Sequence, residues 1–221
     1  MQKQSINLII TLTLMVLLSA CGGEESDGSF QAVTVSNTPS SIGTTNLTLM
    51  DAGAISKLKV LCNSTELLTD ASGFVVCEET PIAVYLGEFK LGEINSTPVD
   101  GLIYVQDLLH LTRGATAHPE VTKISMILQS LDKDANPLNG ITLDSNVLDL
   151  LGSHLSNSTV LEDLTFVDVK NIIADVIQTA LSQDSNSTLQ AVDYYTAQSN
   201  LAISVANAPA LTYEQRTEGG I

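Results

Sequence analysis

The chain has no tryptophan, and positive charge is scarce: 9 Lys+Arg stand against 25 Asp+Glu, a formal net charge of −16 over 221 residues. Phosphate recognition needs a basic surface, so nucleic-acid binding is excluded as the main task. No stretch of about 20 apolar residues occurs, which excludes a multispan membrane protein. No G-x-S-x-G, no Gly-rich phosphate loop and no His pair at i, i+4 is present among His110, His118 and His154. Nothing in the sequence assembles a catalytic constellation, and the expectation is a protein that is not an enzyme. What is plentiful is apolar residue, 44% of the chain, enough for a packed core.

The first 21 residues read MQKQSINLIITLTLMVLLSAC. Lys3 precedes an apolar run from Ile6 to Leu18, and small residues follow, which is the pattern of an export signal. Leu18-Ser19-Ala20-Cys21 resembles the lipobox of bacterial lipoproteins. That resemblance implies cleavage before Cys21, acylation of its thiol and of the new amine, and stable anchoring by several chains. Gly22-Gly23 follows, without the Asp that resembles an inner-membrane retention signal, so the cell outer membrane is the implied destination. Loss of residues 1–20 removes Lys3 and no acid, taking the charge from −16 to −17. Such a domain repels anionic headgroups, so its membrane contact should run through the lipid.

Residues 21–47 are rich in Gly, Ser, Thr and acid and read as a flexible tether, with one short alternation at Phe30–Val35. Residues 48–104 read as β: Lys57–Cys62, Gly73–Cys77, Pro81–Gly87 and Phe89–Gly92 are short runs separated by turn residues. From 105 to 206 the period becomes helical. Pro119–Leu131 places Val121, Ile124, Ile127, Leu128 and Leu131 on one face, and Asp144 is placed to cap a short helix. Asp168–Leu181 carries the longest apolar stripe, with burial against the core as its expected role. A weaker helix is expected over Thr188–Ile203, then a frayed tail over 207–221. The fold class expected is α+β, a small antiparallel sheet or sandwich followed by a helical region packed on it.

Cys62 and Cys77 are the cysteines left after lipidation. In an exported chain such a pair forms a disulfide, here expected between neighbouring strands around a turn. Asp132-Lys133-Asp134-Ala135-Asn136 matches the first three ligand positions of a calcium loop, so Asp132, Asp134 and Asn136 are candidate Ca²⁺ ligands. Pro137 stands where the turn glycine would be and Leu143 where the closing Glu would be, so the competing reading is a polar turn with side chains bonded to backbone. No cofactor is required; calcium is the one candidate.

Residues 55–143 resemble a group of exported bacterial lipoproteins and surface proteins. The resemblance rests on Thr69-Asp70-Ala71-Ser72-Gly73-Phe74, Val84-Tyr85-Leu86-Gly87, Leu91-Gly92, Leu128-Gln129-Ser130-Leu131-Asp132-Lys133-Asp134 and Asn139-Gly140-Ile141. It implies an exported β-plus-helix module, in some members part of adhesin-like proteins, and carries over no catalytic residue. The function expected is a lipid-anchored, non-catalytic binding or scaffolding component with an envelope protein as partner. A calcium-stabilised surface or matrix module is the alternative. An envelope hydrolase built from distant Ser, His and Asp ranks third.

Overall fold

A computed structural model describes residues 45–209. The signal, Cys21, the Phe30–Val35 alternation, the tether as far as residue 44 and the tail from 210 lie outside the described residues.

The chain is α+β: eight strands come first, and helices follow with one short strand among them. Nine strands are described: β1 (Thr45–Met50), β2 (Ile55–Ser56), β3 (Lys59–Cys62), β4 (Thr65–Leu68), β5 (Phe74–Cys77), β6 (Ile82–Leu86), β7 (Phe89–Ile94), β8 (Leu102–Tyr104) and β9 (Ile141–Thr142). They form a four-stranded antiparallel sheet in the order β4-β3-β6-β7, a three-stranded sheet β5-β1-β8 and a small pair β2-β9. Two pairings, β1 with β8 and β2 with β9, are parallel. The expected sheet was antiparallel throughout; these two pairs depart from it because their strands are joined by long excursions rather than hairpins.

The alternation that marks a half-buried strand is kept in the structure. In β7, Phe89 and Leu91 point inward while Lys90 points out. The tight turn from β6 to β7 pairs Leu86 with Phe89, and Gly87 supplies the positive φ of 60° at its corner.

Five helices follow: α1 (Val105–Leu108), α2 (Pro119–Ser130), α3 (Ser145–Gly152), α4 (Phe166–Gln183) and α5 (Tyr194–Asn207). Pro119 opens α2, where its missing N–H costs nothing. Asp144 caps α3 by accepting from Asn146 N at 2.9 Å. Thr165 and Asp168 exchange bonds as a capping box on α4. The stripe of α4 faces the core through Val169, Ile173, Val176 and Ala180, although Leu181 stays exposed. The last helix starts later than its sequence period suggests, because Asp193 caps it at Tyr195 N and Thr196 N.

Helix α2 is the centre of the fold. Every residue from Val121 to Ser130 is buried. The sequence period marks one apolar face, and the structure covers the opposite, polar face with α5 and the chain before it. Each polar side chain there then needs a partner. Thr122 Oγ1 donates to His118 O, Lys123 Nζ to Leu161 O and Ser125 Oγ to Asp51, while Ser130 Oγ accepts from Val192 N. One continuous apolar cluster runs from Leu47 and Val60 in the strands to Val169 and Leu201 in the helices.

Cys62 and Cys77 are bonded, with Cα atoms 5.5 Å apart. The bond does not join neighbouring strands. It links the end of β3 in one sheet to the end of β5 in the other, because β4 intervenes in the chain and takes the pairing edge of β3. Closing a 15-residue separation stabilises by about 3 kcal/mol in the chain-entropy account. Replacing both cysteines by serine is therefore expected to lower the melting temperature by about 6–12 °C. Thermal unfolding followed by circular dichroism checks this; an unchanged midpoint would show that the two sheets are held without the bridge.

Candidate functional site

The sequence-derived site residues divide into three places. Cys21 lies outside the described residues. Cys62–Cys77 is the inter-sheet bridge just described.

Asp132, Asp134 and Asn136 lie in the turn that follows α2, and the chain there is knotted by its own backbone. Asp132 is fully buried and accepts from Thr142 N at 2.9 Å and Asn136 N at 2.9 Å. Asp134 accepts from Asn136 N at 3.0 Å and from Asn139 Nδ2 at 2.9 Å. All four carboxylate oxygens thus receive an N–H donor from the protein. Burial raises the Asp132 carboxyl above its ordinary range, while the bond from Asn139 leads the effects that lower Asp134. Among the described residues, no group of three or more His, Cys, Asp or Glu side chains is placed to hold a metal ion.

The histidines are spread apart. His118 Nδ1 sits 2.9 Å from Glu120 at the start of α2. His110 takes a positive φ of 56° in the loop after α1, and His154 is exposed beyond α3. Ser153, beside His154 in the sequence, spends its hydroxyl on Leu150 O at 2.7 Å.

An open cleft of about 620 Å³ lies between the loop after β1, strand β8 and α5, lined by Met50, Leu102, Tyr104, Leu138, Asn139 and Ile203 among others. Three of its polar side chains, Tyr104, Asn139 and Asp100, are committed to the fold. Tyr104 Oη donates to Ser204 O at 3.3 Å, Asn139 holds Asp134, and Asp100 pairs with Arg113. Arg113 also bonds Asp107 and packs over the Tyr104 ring at 5.1 Å. That cluster closes the loop from β8 through α1.

A different face carries exposed aromatic side chains. The chain has only five tyrosines and four phenylalanines. Phe166, Tyr194 and Tyr195 gather on one exposed surface. Phe166 opens α4, and Tyr194 and Tyr195 open α5, each just after its cap. Both helices pack on α2, which brings their first turns side by side. The Phe166 and Tyr194 ring centres are 5.9 Å apart, and those of Tyr194 and Tyr195 are 3.7 Å apart. Tyr195 is 70% exposed, and the neighbouring Val167 64%. A side-chain hydrogen bond with Tyr195 leads the effects that push the Tyr194 phenol up to about 12, so its ring stays neutral across physiological pH. Tyrosine is enriched at the energetic centres of protein interfaces, which makes this cluster the candidate site.

Sequence reasoning passed over this surface. Its signal was the Tyr194-Tyr195 pair directly after Asp193, a cap residue that fixes where the rings emerge. Comparison with known protein families, with curated proteins and with solved structures gives no match.

Proposed function

We propose that the protein is a lipid-anchored component of the cell outer membrane that acts by binding an envelope partner rather than by catalysis. The observation that carries the binding is the exposed Phe166–Tyr194–Tyr195 surface in a chain otherwise sparing with aromatics. The anchor is read from Leu18-Ser19-Ala20-Cys21 and from the likeness to exported lipoproteins. The two fit together: lipid at Cys21 would hold the chain at the membrane, and the exposed rings lie on helices far along the sequence from that anchor. The calcium alternative gains nothing from the Asp132 turn, whose oxygens are occupied by N–H groups.

The test is intact-mass spectrometry and fractionation of the chain made in an exporting Gram-negative host, with in-envelope cross-linking. The wild type is expected in the membrane fraction, beginning at Cys21 with acyl groups, and cross-linked to another envelope protein. Cys21→Ala is expected without acyl groups and outside that fraction. An unacylated wild type, or an acylated one that cross-links to nothing, overturns the reading.

A further inference from the structure

We propose that the Phe166–Tyr194–Tyr195 face docks a basic peptide segment of a partner protein, with an arginine or lysine side chain laid over the Tyr194–Tyr195 rings. The inference rests on the binding reading above and names the chemistry of the partner.

Three observations carry it. First, an aromatic face is available: Tyr195 is largely exposed, and it stacks on the less exposed Tyr194 with ring centres 3.7 Å apart. A cation over such a face is attracted by the ring quadrupole, and guanidinium adds stacking.

Second, the rim is acidic. Asp168 and Asp193 cap the two helices that carry the rings, and Glu162 and Asp163 are exposed in the short turn before Phe166. The bases nearby are Lys123 and Lys170. Lys123 is buried and already bonded to Leu161 O and paired with Glu120, whereas Lys170 is exposed and its charge helps lower the Asp193 carboxyl, so four acids stand against one exposed base. The bonds from Thr165 and Thr196 hold Asp168 and Asp193 below the ordinary carboxylate range, which keeps both charged at neutral pH.

Third, the cluster already seats one ammonium group. Lys123 Nζ lies 5.9 Å from the Phe166 ring centre. The same ring chemistry is repeated on the outer side by the two tyrosines.

Charge also sorts the possible occupants. A second copy of this chain, with formal charge −16, would bring like charge to an acidic rim. An anionic lipid surface is repelled for the same reason. A neutral glycan would stack on the rings but gain nothing from the four acids. A basic segment uses both the rings and the rim, and its aliphatic stems fit beside the exposed Val167.

The experiment titrates the full chain with a hexa-arginine peptide by calorimetry at ~0.15 M salt, where diffuse attraction between exposed charges is screened. The Tyr194→Ala/Tyr195→Ala double variant keeps every charge and is expected to bind about tenfold more weakly or worse. Tyr195→Phe keeps the ring and is expected to bind as the wild type does. Glu162→Gln/Asp163→Asn keeps the rings and is expected to weaken binding severalfold. Circular dichroism confirms that each variant is folded. Equal binding by the double-alanine variant would mean a generic polyacid attraction and overturns the proposal. So would a neutral dextran oligosaccharide binding the rings while hexa-arginine does not. If the peptide ignores the rings while in-envelope cross-links still form through this face, the cation chemistry fails and the binding function stands. If the cross-links fail too, both fall.

Discussion

Replacing Asp51 by leucine is expected to cost about 3–5 kcal/mol, the scale seen when one partner of a buried charged network is removed. Asp51 is fully buried in the loop after β1. Its Oδ1 accepts from Ala52 N at 2.6 Å and from Gln129 Nε2 at 2.7 Å, and its Oδ2 accepts from Ser125 Oγ at 2.6 Å. Gln129 also donates to Ala197 O and accepts from Asn200 Nδ2. The carboxylate therefore ties the β1 loop to α2, and through Gln129 to α5. Leucine would leave three donors buried without an acceptor, each costing about 1–3 kcal/mol. Asparagine is a different case. Its oxygen can replace Oδ1 at Ala52 and Gln129, and its amide can face Ser125, whose hydroxyl turns round to accept. Asp51→Asn should thus stay within about 1 kcal/mol of the wild type. Urea unfolding of the three proteins checks the order; a leucine variant as stable as the asparagine one would show that the network contributes nothing.

The same residue gives a pH dependence with a definite sign. Burial raises the Asp51 carboxyl above its ordinary 3.8 and outweighs the bonds from Ser125, Gln129 and Ala52. Between the ordinary and the raised value the folded state binds more protons than the unfolded one. Stability from this group is complete below the ordinary value and is lost as pH rises through the folded one. The carboxyls of Asp100, Asp168 and Asp193 are lowered and act in the opposite sense, but they are common to wild type and Asp51→Asn. The stability difference between those two proteins isolates Asp51. It should move toward the asparagine variant as pH rises from acid to neutral, and a flat difference across that range would contradict the burial account.

This centre explains which parts of the fold were legible in the sequence. Helices α2, α3 and α4 and strands β3, β5, β6 and β7 follow from apolar period and caps, which are local signals. Strand β1 does not, because Thr45–Met50 is a short run that follows a polar stretch of sequence, and its pairing partners β5 and β8 are more than 20 residues away. The burial of Gln129 and Ser125 is equally invisible, since a polar face on a helix ordinarily means water. The motifs behind the family resemblance turn out to be fold-holding residues. Thr69 Oγ1 donates to Ile55 O and accepts from Leu58 N. Asp70 caps its turn at Ser72 N and Phe74 N. Gln129, Ser130 and Asp132 serve three different backbone segments. Such residues hold this fold together and say nothing of a ligand. The aromatic face shows the opposite pattern. Tyr194 and Tyr195 make no structural demand that a sequence period could reveal, and only the placement of two helix starts brings them to Phe166.

Gly92 gives the second large effect, and it joins the two halves of the fold. It lies in β7 opposite Val84, next to the irregularity that shifts the β6–β7 register. The backbone of α1 crosses it closely. A Cβ on Gly92 would stand 2.2 Å from Leu108 O and 2.8 Å from Leu108 C, and both are main-chain atoms that cannot turn aside. Leu108 is itself buried, and its helix leads from β8 to the loop held by Arg113, Asp100 and Asp107. Alanine there can be accommodated only by pushing α1 off the sheet, which separates apolar surface on both sides. A loss of about 4 kcal/mol or more is expected, in the range reserved for broken cores. Gly152 provides the control, because a Cβ there meets nothing within 4 Å. Gly152→Ala lies in the last turn of α3 and should be neutral or gain a few tenths to about 1 kcal/mol. Denaturant unfolding of the pair separates the two accounts. If Gly92→Ala unfolds at the wild-type midpoint, then α1 is not seated on β7, and the helical region is less tightly joined to the strands than the contact at Leu108 requires.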